Sequence, residues 1–251
     1  MKVRHNLKKK NVLIVIPTYN EERIIKQNID QLFDFCENNL QKYKWRIIVA
    51  DNGSTDRTIK IVKEQKQKYS NLEYFHLSQL GKGLAIKKAW QDYIADVNIF
   101  MDADLATELK FTPTLIKGIA EEKYDLIIGS RYHKQSKCKR PLMRSVCSKS
   151  YNFILKMLFN IKLTDTHCGF KALSKPAVQK IIPKIKNNGL FFDTELLILA
   201  RHYNLNIKEI PVNWTEEKGR KTKVKILRTA LDYLKEIVKL KYRLLLQYHS
   251  L

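Results

Sequence analysis

The sequence predicts an α/β fold, with a mostly parallel sheet covered by helices on both faces and a long amphipathic helix at the C-terminal end. Three observations predict it. Short apolar runs alternate with helix-period segments through the first half of the chain. Acidic and small polar residues gather where those apolar runs end. From Lys221 onward, apolar residues recur at steps of three and four beside a line of lysines and arginines.

The elements follow in order. Residues 12–16, 47–50, 72–77, 97–101 and 126–128 are short apolar runs that read as strands. Residues 21–39, 55–69, 83–95 and 112–123 carry helical periodicity, and Pro113 falls in a first turn, where proline is tolerated. The second half is less regular. A helix over 143–159 precedes the polar turn Thr164-Asp165-Thr166-His167-Cys168-Gly169, another helix runs from about Asp193 to Tyr203, and 207–214 alternates as a strand. In the terminal helix Val224, Leu227, Leu231, Leu234, Val238, Tyr242 and Leu245 form one apolar line, widened by Ile226, Tyr233, Ile237, Leu240 and Leu244. Lys221, Lys225, Arg228, Lys235, Lys239 and Arg243 flank it. A broad apolar face with a basic flank suits a helix lying in a membrane interface, and the more usual alternative is a helix packed on the core. On this reading residues 1–216 form the sheet domain and 217–251 the basic helix.

The 251 residues are 44% hydrophobic, which supports one sizeable core. The formal charge of +22 points to an anionic partner: nucleic acid, anionic lipid or a phosphorylated substrate. A lysine-rich proteome produces the same excess. Cys36, Cys138, Cys147 and Cys168 are scattered with no Cys-X-X-Cys pair, so neither a zinc site nor a disulfide framework is indicated, as expected in a reducing compartment. The basic N-terminal stretch lacks the apolar run of a signal peptide, and no segment reaches the roughly 18 apolar residues that span a bilayer.

The chemistry concentrates at the ends of the apolar runs, where open α/β sheets bind ligands. The run ending at Met101 leads into Asp102-Ala103-Asp104-Leu105-Ala106-Thr107. Two carboxylates one residue apart can hold a hard divalent cation, which can clamp a diphosphate; a solvated acidic turn has the same appearance. The first run ends in Pro17-Thr18-Tyr19-Asn20-Glu21 and the second in Asp51-Asn52-Gly53-Ser54-Thr55-Asp56. Asp51 is suited to accept a hydrogen bond from a base N–H. Gly53 permits a tight turn, and Ser54 or Thr55 suits a helix cap. Gly81-Lys82-Gly83 opens a helix and offers backbone N–H groups to a phosphate, or is a plain connecting turn.

These segments, with Gly129-Ser130-Arg131 and the motif from Asp165 to Lys171, occur in one order that resembles the family 2 inverting glycosyltransferases of GT-A (Rossmann-like) fold. The resemblance runs from about Val12 to Tyr248 and is strongest to the polyprenyl-phosphate sugar synthases. The 165–171 motif, Phe192-Asp193-Thr194-Glu195 and Val212-Asn213-Trp214-Thr215-Glu216 look most like dolichyl-phosphate β-glucosyltransferases, which use UDP-glucose. Mannosyl relatives, which use GDP-mannose, usually carry Gln two residues after the second Asp, where this chain has Ala106.

The resemblance implies a role for each matching position. Pro17, Tyr19, Glu21 and Asp51 would bind the nucleoside, Lys82 would reach the donor, and Asp102 with Ala103 would lie near ribose and diphosphate. Asp104, with Asp102, would ligate Mg²⁺ or Mn²⁺. Arg131 would hold the acceptor phosphate with Arg140 or Arg144, and Lys218, Arg220, Lys221 and Lys223 lie where they could contact a lipid phosphate or the donor diphosphate. His167 and Cys168 read as packing and turn residues. A lipid monophosphate is already largely dianionic at neutral pH and needs positioning more than deprotonation. A hydroxyl acceptor would need a general base, for which Asp193 and Glu195 are the candidates, although both also suit an acidic helix start.

The expectation is glucose transfer from UDP-glucose to a polyprenyl (dolichyl-type) phosphate, by a protein peripheral at the cytoplasmic face of a membrane. Alternatives in the same fold are a GDP-mannose donor or a soluble glycan acceptor. A nucleic-acid-binding protein would fit the charge but lacks a recognisable helix-turn-helix, zinc-finger or RNP motif, and a non-catalytic scaffold would not need Asp102 and Asp104.

Overall fold

The computed structural model describes residues 9–139, 142–216 and 226–248. Its centre is a seven-stranded sheet in the order β3-β2-β1-β4-β7-β5-β8. The strands are β1 (Asn11–Thr18), β2 (Lys44–Asn52), β3 (Leu72–Leu77), β4 (Val97–Met101), β5 (Leu126–Ser130), β7 (Phe170–Ser174) and β8 (Ile207–Pro211). All pair in parallel except β7, which runs antiparallel between β4 and β5. A small parallel ribbon joins β6 (Lys137–Lys139) to β9 (Asn213–Thr215).

β1, β4 and β5 are apolar along most of their length and buried on both faces, as central strands between two helical layers must be. The layers are built by α1 (Ile25–Asn39), α2 (Thr58–Lys68), α3 (Lys82–Asp92), α4 (Thr112–Ala120), α5 (Leu142–Phe159), α6 (Lys175–Ile181), α7 (Phe192–His202) and α8 (Ile226–Tyr248). One core lies under α1 and α4, around Ile29, Phe33, Leu115 and Ile116. The other lies under α3, α6 and α7, around Trp90, Phe100 and Phe192, and takes in Ile237, Leu240 and Leu244 of α8.

The expected α/β architecture is therefore present, with two differences. β7 and α6 lie between the polar turn over 164–169 and the helix expected from Asp193, where the sequence suggested no element, and the strand expected over 207–214 divides at Val212 into β8 and β9. The terminal helix uses its apolar surface twice. Ile237, Leu240 and Leu244 are buried, whereas Leu231, Leu234, Val238, Tyr242, Leu245 and Leu246 remain exposed. α5 likewise exposes Val146, Phe153 and Met157.

Candidate active site

β1, β2 and β4 are parallel neighbours, so their C-terminal ends open on one edge. After β4 the chain turns through Asp102, Ala103 and Asp104, and Leu105 takes a left-handed φ of 48° to complete the reversal. Ala106 N–H donates to Asp104 Oδ1 at 3.2 Å. Asn28 of α1 holds the turn from below, donating Nδ2–H to the Ala103 carbonyl at 2.8 Å.

Asp102 rests on Gly169. The antiparallel register sets Met101 opposite Phe170, which brings Gly169 beside Asp102. Asp102 N–H donates to the Gly169 carbonyl at 3.0 Å. A Cβ at position 169 would lie 2.0 Å from Asp102 Oδ2, so only glycine leaves room for the carboxylate.

A chain of alternating charges runs inward from Asp102. Lys82, at the start of α3, donates to Asp102 Oδ1 at 2.9 Å and to Asp193 Oδ2 at 3.1 Å. Asp193 Oδ1 accepts from Lys171 Nζ at 2.5 Å, and the fully buried Lys171 also donates to the carbonyls of Thr166 and Cys168. Burial pushes the Asp193 carboxyl up, but Lys171 and Lys82 outweigh it and hold the group at about 2. Burial likewise disfavours the Lys82 charge, and Asp102 with Asp193 more than restores it. Buried charges are tolerable in such a chain because each has an opposite partner and hydrogen bonds.

This arrangement bears on two candidates named from the sequence. Asp193, a candidate general base on the sequence, is paired with both Lys82 and Lys171, and these two ammonium groups hold it ionised against burial and lower its affinity for a proton. Glu195 is not free either. Its Oε1 accepts from Lys186 N–H and pairs with Arg243, and its Oε2 accepts from Asn187 N–H at 2.8 Å. It fastens the loop before α7 to α8.

Arg131 also differs from expectation. Its Nε and Nη2 both donate to Asp165, at 2.7 and 2.9 Å, and Asp165 Oδ2 accepts Arg131 N–H as well. Burial works against the Asp165 charge, and Arg131 overrides it, keeping the carboxyl below its usual range. The guanidinium is thus bound to the protein rather than held out as an open clamp, with Trp214 and Tyr132 rings beside it. Its first task is to join the end of β5 to the segment before β7.

Pro17 is buried in β1, and Tyr19 and Glu21 are half-buried at its end. Asp51 is fully buried. Its carboxylate accepts from Ser54 Oγ, from Ser54 N–H at 3.2 Å and from His76 Nδ1 at 2.6 Å. The surface group at this point is therefore His76, not Asp51. Asn52 bridges the rim, donating to the Thr18 carbonyl at 2.7 Å and accepting Gly81 N–H at 3.2 Å. His167 stacks on Tyr233 of α8 with ring centroids 5.3 Å apart, and Cys168 is buried, its thiol pushed up to about 12 by burial. Arg140, Arg220 and Lys221, with Lys218 and Lys223, lie outside the described residues, as does the side chain of Arg144.

Among the described residues no group of three His, Cys, Asp or Glu is assembled as a metal cage. The Asp102–Asp104 turn instead offers hard oxygen donors at a solvent-reached strand end, with Asp102 side chain 41% exposed. That donor set fits a Mg²⁺-type cation, which is bound through one or two carboxylates and takes its remaining ligands from water and phosphate oxygens.

The sequence alone did not mark Asn28, Asn52, Asp165, Gly169 or His76 as parts of the site. Asn52, Asp165 and Gly169 sit inside recognised motifs, but what Asp165 and Gly169 touch depends on β7 lying beside β4.

The model of Glycosyl transferase family 2 matches residues 13–182. Glycosyltransferase AglD of Haloferax volcanii is 31% identical over 229 residues, 91% of this chain and 36% of that protein, so the chain spans little more than a third of it. The dolichyl-phosphate beta-glucosyltransferase of Dictyostelium discoideum is 30% identical, covering 93% of this chain and 74% of that one. The Saccharomyces cerevisiae protein of the same name is 32% identical, with 88% and 70% covered. In structure, glucosyl-3-phosphoglycerate synthase from Mycobacterium tuberculosis, solved with UDP, matches at a TM-score of 0.70 and 18% identity over 92% of this chain and 80% of that one. That likeness is one of fold.

Proposed function

The chain belongs to Glycosyl transferase family 2, and from that premise we propose that it transfers glucose from UDP-glucose to a polyprenyl phosphate of the dolichyl type. The observation that carries the reading is that relatives named dolichyl-phosphate beta-glucosyltransferase align along about nine-tenths of the chain. UDP-glucose and Mn²⁺ are supported by a fold neighbour crystallised with both, and by the hard-oxygen turn at Asp102 and Asp104.

When bound, a divalent cation at Asp104 and Asp102 would neutralise charge developing on the departing diphosphate. The chain's own residues do the rest. Gly169 and Lys82 fix the Asp102 carboxylate in place before substrate arrives. Lys171 and Asp193 hold Lys82, so little reorganisation is needed at this rim during transfer.

The occupied states of Asp193 and Glu195 favour a phosphate acceptor over a hydroxyl. A lipid monophosphate attacks without a protein base, whereas a hydroxyl would need one, and neither candidate carboxylate is free to serve. Positive charge for the acceptor is assigned to Arg140, Arg144, Arg220 and Lys221, on the family resemblance. The exposed apolar residues of α8 and α5, joined where Lys241 Nζ donates to the Leu158 carbonyl at 2.9 Å, would rest on the membrane holding that acceptor.

Transfer assays with polyprenyl phosphate in liposomes, and with a short soluble prenyl phosphate, test both halves. The wild-type protein should glucosylate both. Leu234→Asp with Val238→Asp, on exposed positions, should lower the liposome reaction about tenfold and leave the soluble one unchanged, as expected when a charge enters an interfacial face. Transfer to a sugar hydroxyl and to neither phosphate would contradict the acceptor assignment. Equal liposome activity in the double variant would contradict the membrane face.

A further inference from the structure

We propose that α8 positions the donor end of the site as well as meeting a membrane: through Glu236 and Arg243 it clamps the loop over 186–189 onto the first turn of α3, the turn that carries Lys82. The inference rests on the reading that the Asp102 rim takes the donor diphosphate, and it adds the residues that hold the cation of that rim in place.

A helix N-terminus presents N–H groups without helical partners, and Gly81-Lys82-Gly83 reads as a turn that could offer them to a phosphate. The chain fills that place itself. Gly83 N–H donates to the Gly189 carbonyl at 3.3 Å and Leu84 N–H to the Asn188 carbonyl at 3.0 Å. Gly81 N–H donates to Asn52 Oδ1 at 3.2 Å. Both glycines serve this contact. A Cβ at position 81 would lie 2.6 Å from the Asn188 carbonyl oxygen, and one at position 83 would lie 2.6 Å from Phe192 Cβ and 3.0 Å from the Asn187 carbonyl oxygen. The motif is a seat for a loop, and Lys82 is the part of it that reaches the rim, donating to Asp102 Oδ1 at 2.9 Å.

Glu195 shapes the loop from α7. Its Oε1 accepts Lys186 N–H at 3.0 Å and its Oε2 accepts Asn187 N–H at 2.8 Å. Asn187 Oδ1 in turn accepts Gly189 N–H at 2.8 Å, which bends the loop so that the 188 and 189 carbonyls meet α3. α8 supplies the remaining contacts. Arg243 pairs with Glu195, whose side chain is 3% exposed, and Glu236 Oε2 accepts Asn187 Nδ2–H at 3.1 Å.

A buried carboxylate that loses its cation is left uncompensated, so removing Arg243 strips the loop of its charged anchor. The carbonyls that hold the first turn of α3 then shift, and Lys82 shifts with them. Glu195, Glu236 and Arg243 are therefore positioning residues, acting on the rim through the loop. α8 divides its faces between two tasks: Leu234 and Val238 stay exposed, while Glu236 and Arg243 turn to the loop.

Steady-state transfer from UDP-glucose to the short soluble prenyl phosphate, with Mn²⁺ and without liposomes, tests this, because a helix that serves only as a membrane anchor is idle in that assay. Arg243→Ala removes the partner of Glu195. Glu236→Ala removes the acceptor for Asn187 at a partly exposed position, so the fold should survive, and Glu236→Gln keeps an oxygen there. The expected result is a kcat/KM for UDP-glucose about tenfold lower in Arg243→Ala and about threefold lower in Glu236→Ala, the range of one lost hydrogen bond. The loss should come with a raised KM for UDP-glucose, an unchanged KM for the prenyl phosphate and wild-type values in Glu236→Gln. A smaller folded fraction would lower kcat and move neither KM. Unchanged UDP-glucose kinetics in both alanine variants, a change in the prenyl-phosphate KM alone, a loss of kcat with neither KM moved, or the same loss in Glu236→Gln as in Glu236→Ala would overturn the assignment. No transfer from UDP-glucose by the wild-type protein would remove the donor reading, and this inference with it, whereas wild-type transfer with unaltered variants removes the inference alone.

Discussion

At the scale of single residues, the site depends on one absent side chain. Gly169 has no Cβ, and the Asp102 carboxylate occupies the space that one would fill. Gly169→Ala should leave the fold intact, because relief requires moving only a strand-end carboxylate and its turn. A displacement of about 1 Å at a reacting centre costs on the order of a hundredfold in rate. Turnover in steady-state assays should fall by that order, and wild-type turnover in the variant would show that Asp102 does not need its observed position. The Asp-X-Asp signature was legible in the sequence because it is contiguous. The glycine beneath it was not, because a residue 67 positions away becomes a neighbour only through strand pairing.

At the scale of elements, the parallel strands were legible from their apolar runs, and β7 was not. Its sequence, Phe170 to Ser174, places a lysine in a buried strand, and local patterning gives no sign that Asp193, on α7, neutralises it. The same holds for Arg131, whose position after an apolar run suggested a ligand clamp, while its true partner, Asp165, lies on another segment. α8 was legible as amphipathic but its two apolar stripes merged, because periodicity cannot say which stripe meets the core. The stack of His167 on Tyr233 joins α8 to the segment before β7 and gives this junction a pH response. Burial lowers His167 from 6.5 to about 4, and its Nε2 is buried with no hydrogen-bond partner among the described residues. Below pH 6.5 the unfolded chain binds a proton that the folded one refuses until about pH 4, so this group's contribution is complete above 6.5 and is lost as pH falls toward 4. Denaturant unfolding across that range should show the decline in wild-type protein and a reduced slope in His167→Phe, which keeps a ring against Tyr233. An identical slope in the two proteins would place the acid sensitivity elsewhere.

At the scale of the whole molecule, one edge of the sheet collects the chemistry. The parallel strands deliver Asp51 and Asp102 to it, the antiparallel β7 delivers Gly169 and Lys171, and α3 and α7 deliver Lys82 and Asp193. α8 joins the core through Ile237, Leu240 and Leu244 and leaves a second apolar face outward, the face proposed above to rest on a membrane. The +22 charge was legible from composition, but composition could not assign it: nucleic acid, anionic headgroups and phosphorylated substrates all attract the same sign. The sugar is the part that neither charge nor metal ligands read. The most direct test is a donor competition with polyprenyl phosphate and Mn²⁺, in which UDP-glucose and GDP-mannose are offered together and the lipid-linked products are separated. Glucosyl lipid at least about tenfold in excess of mannosyl lipid, a discrimination of roughly 1.4 kcal/mol in the transition state, is the predicted result. An excess of mannosyl lipid would contradict the account.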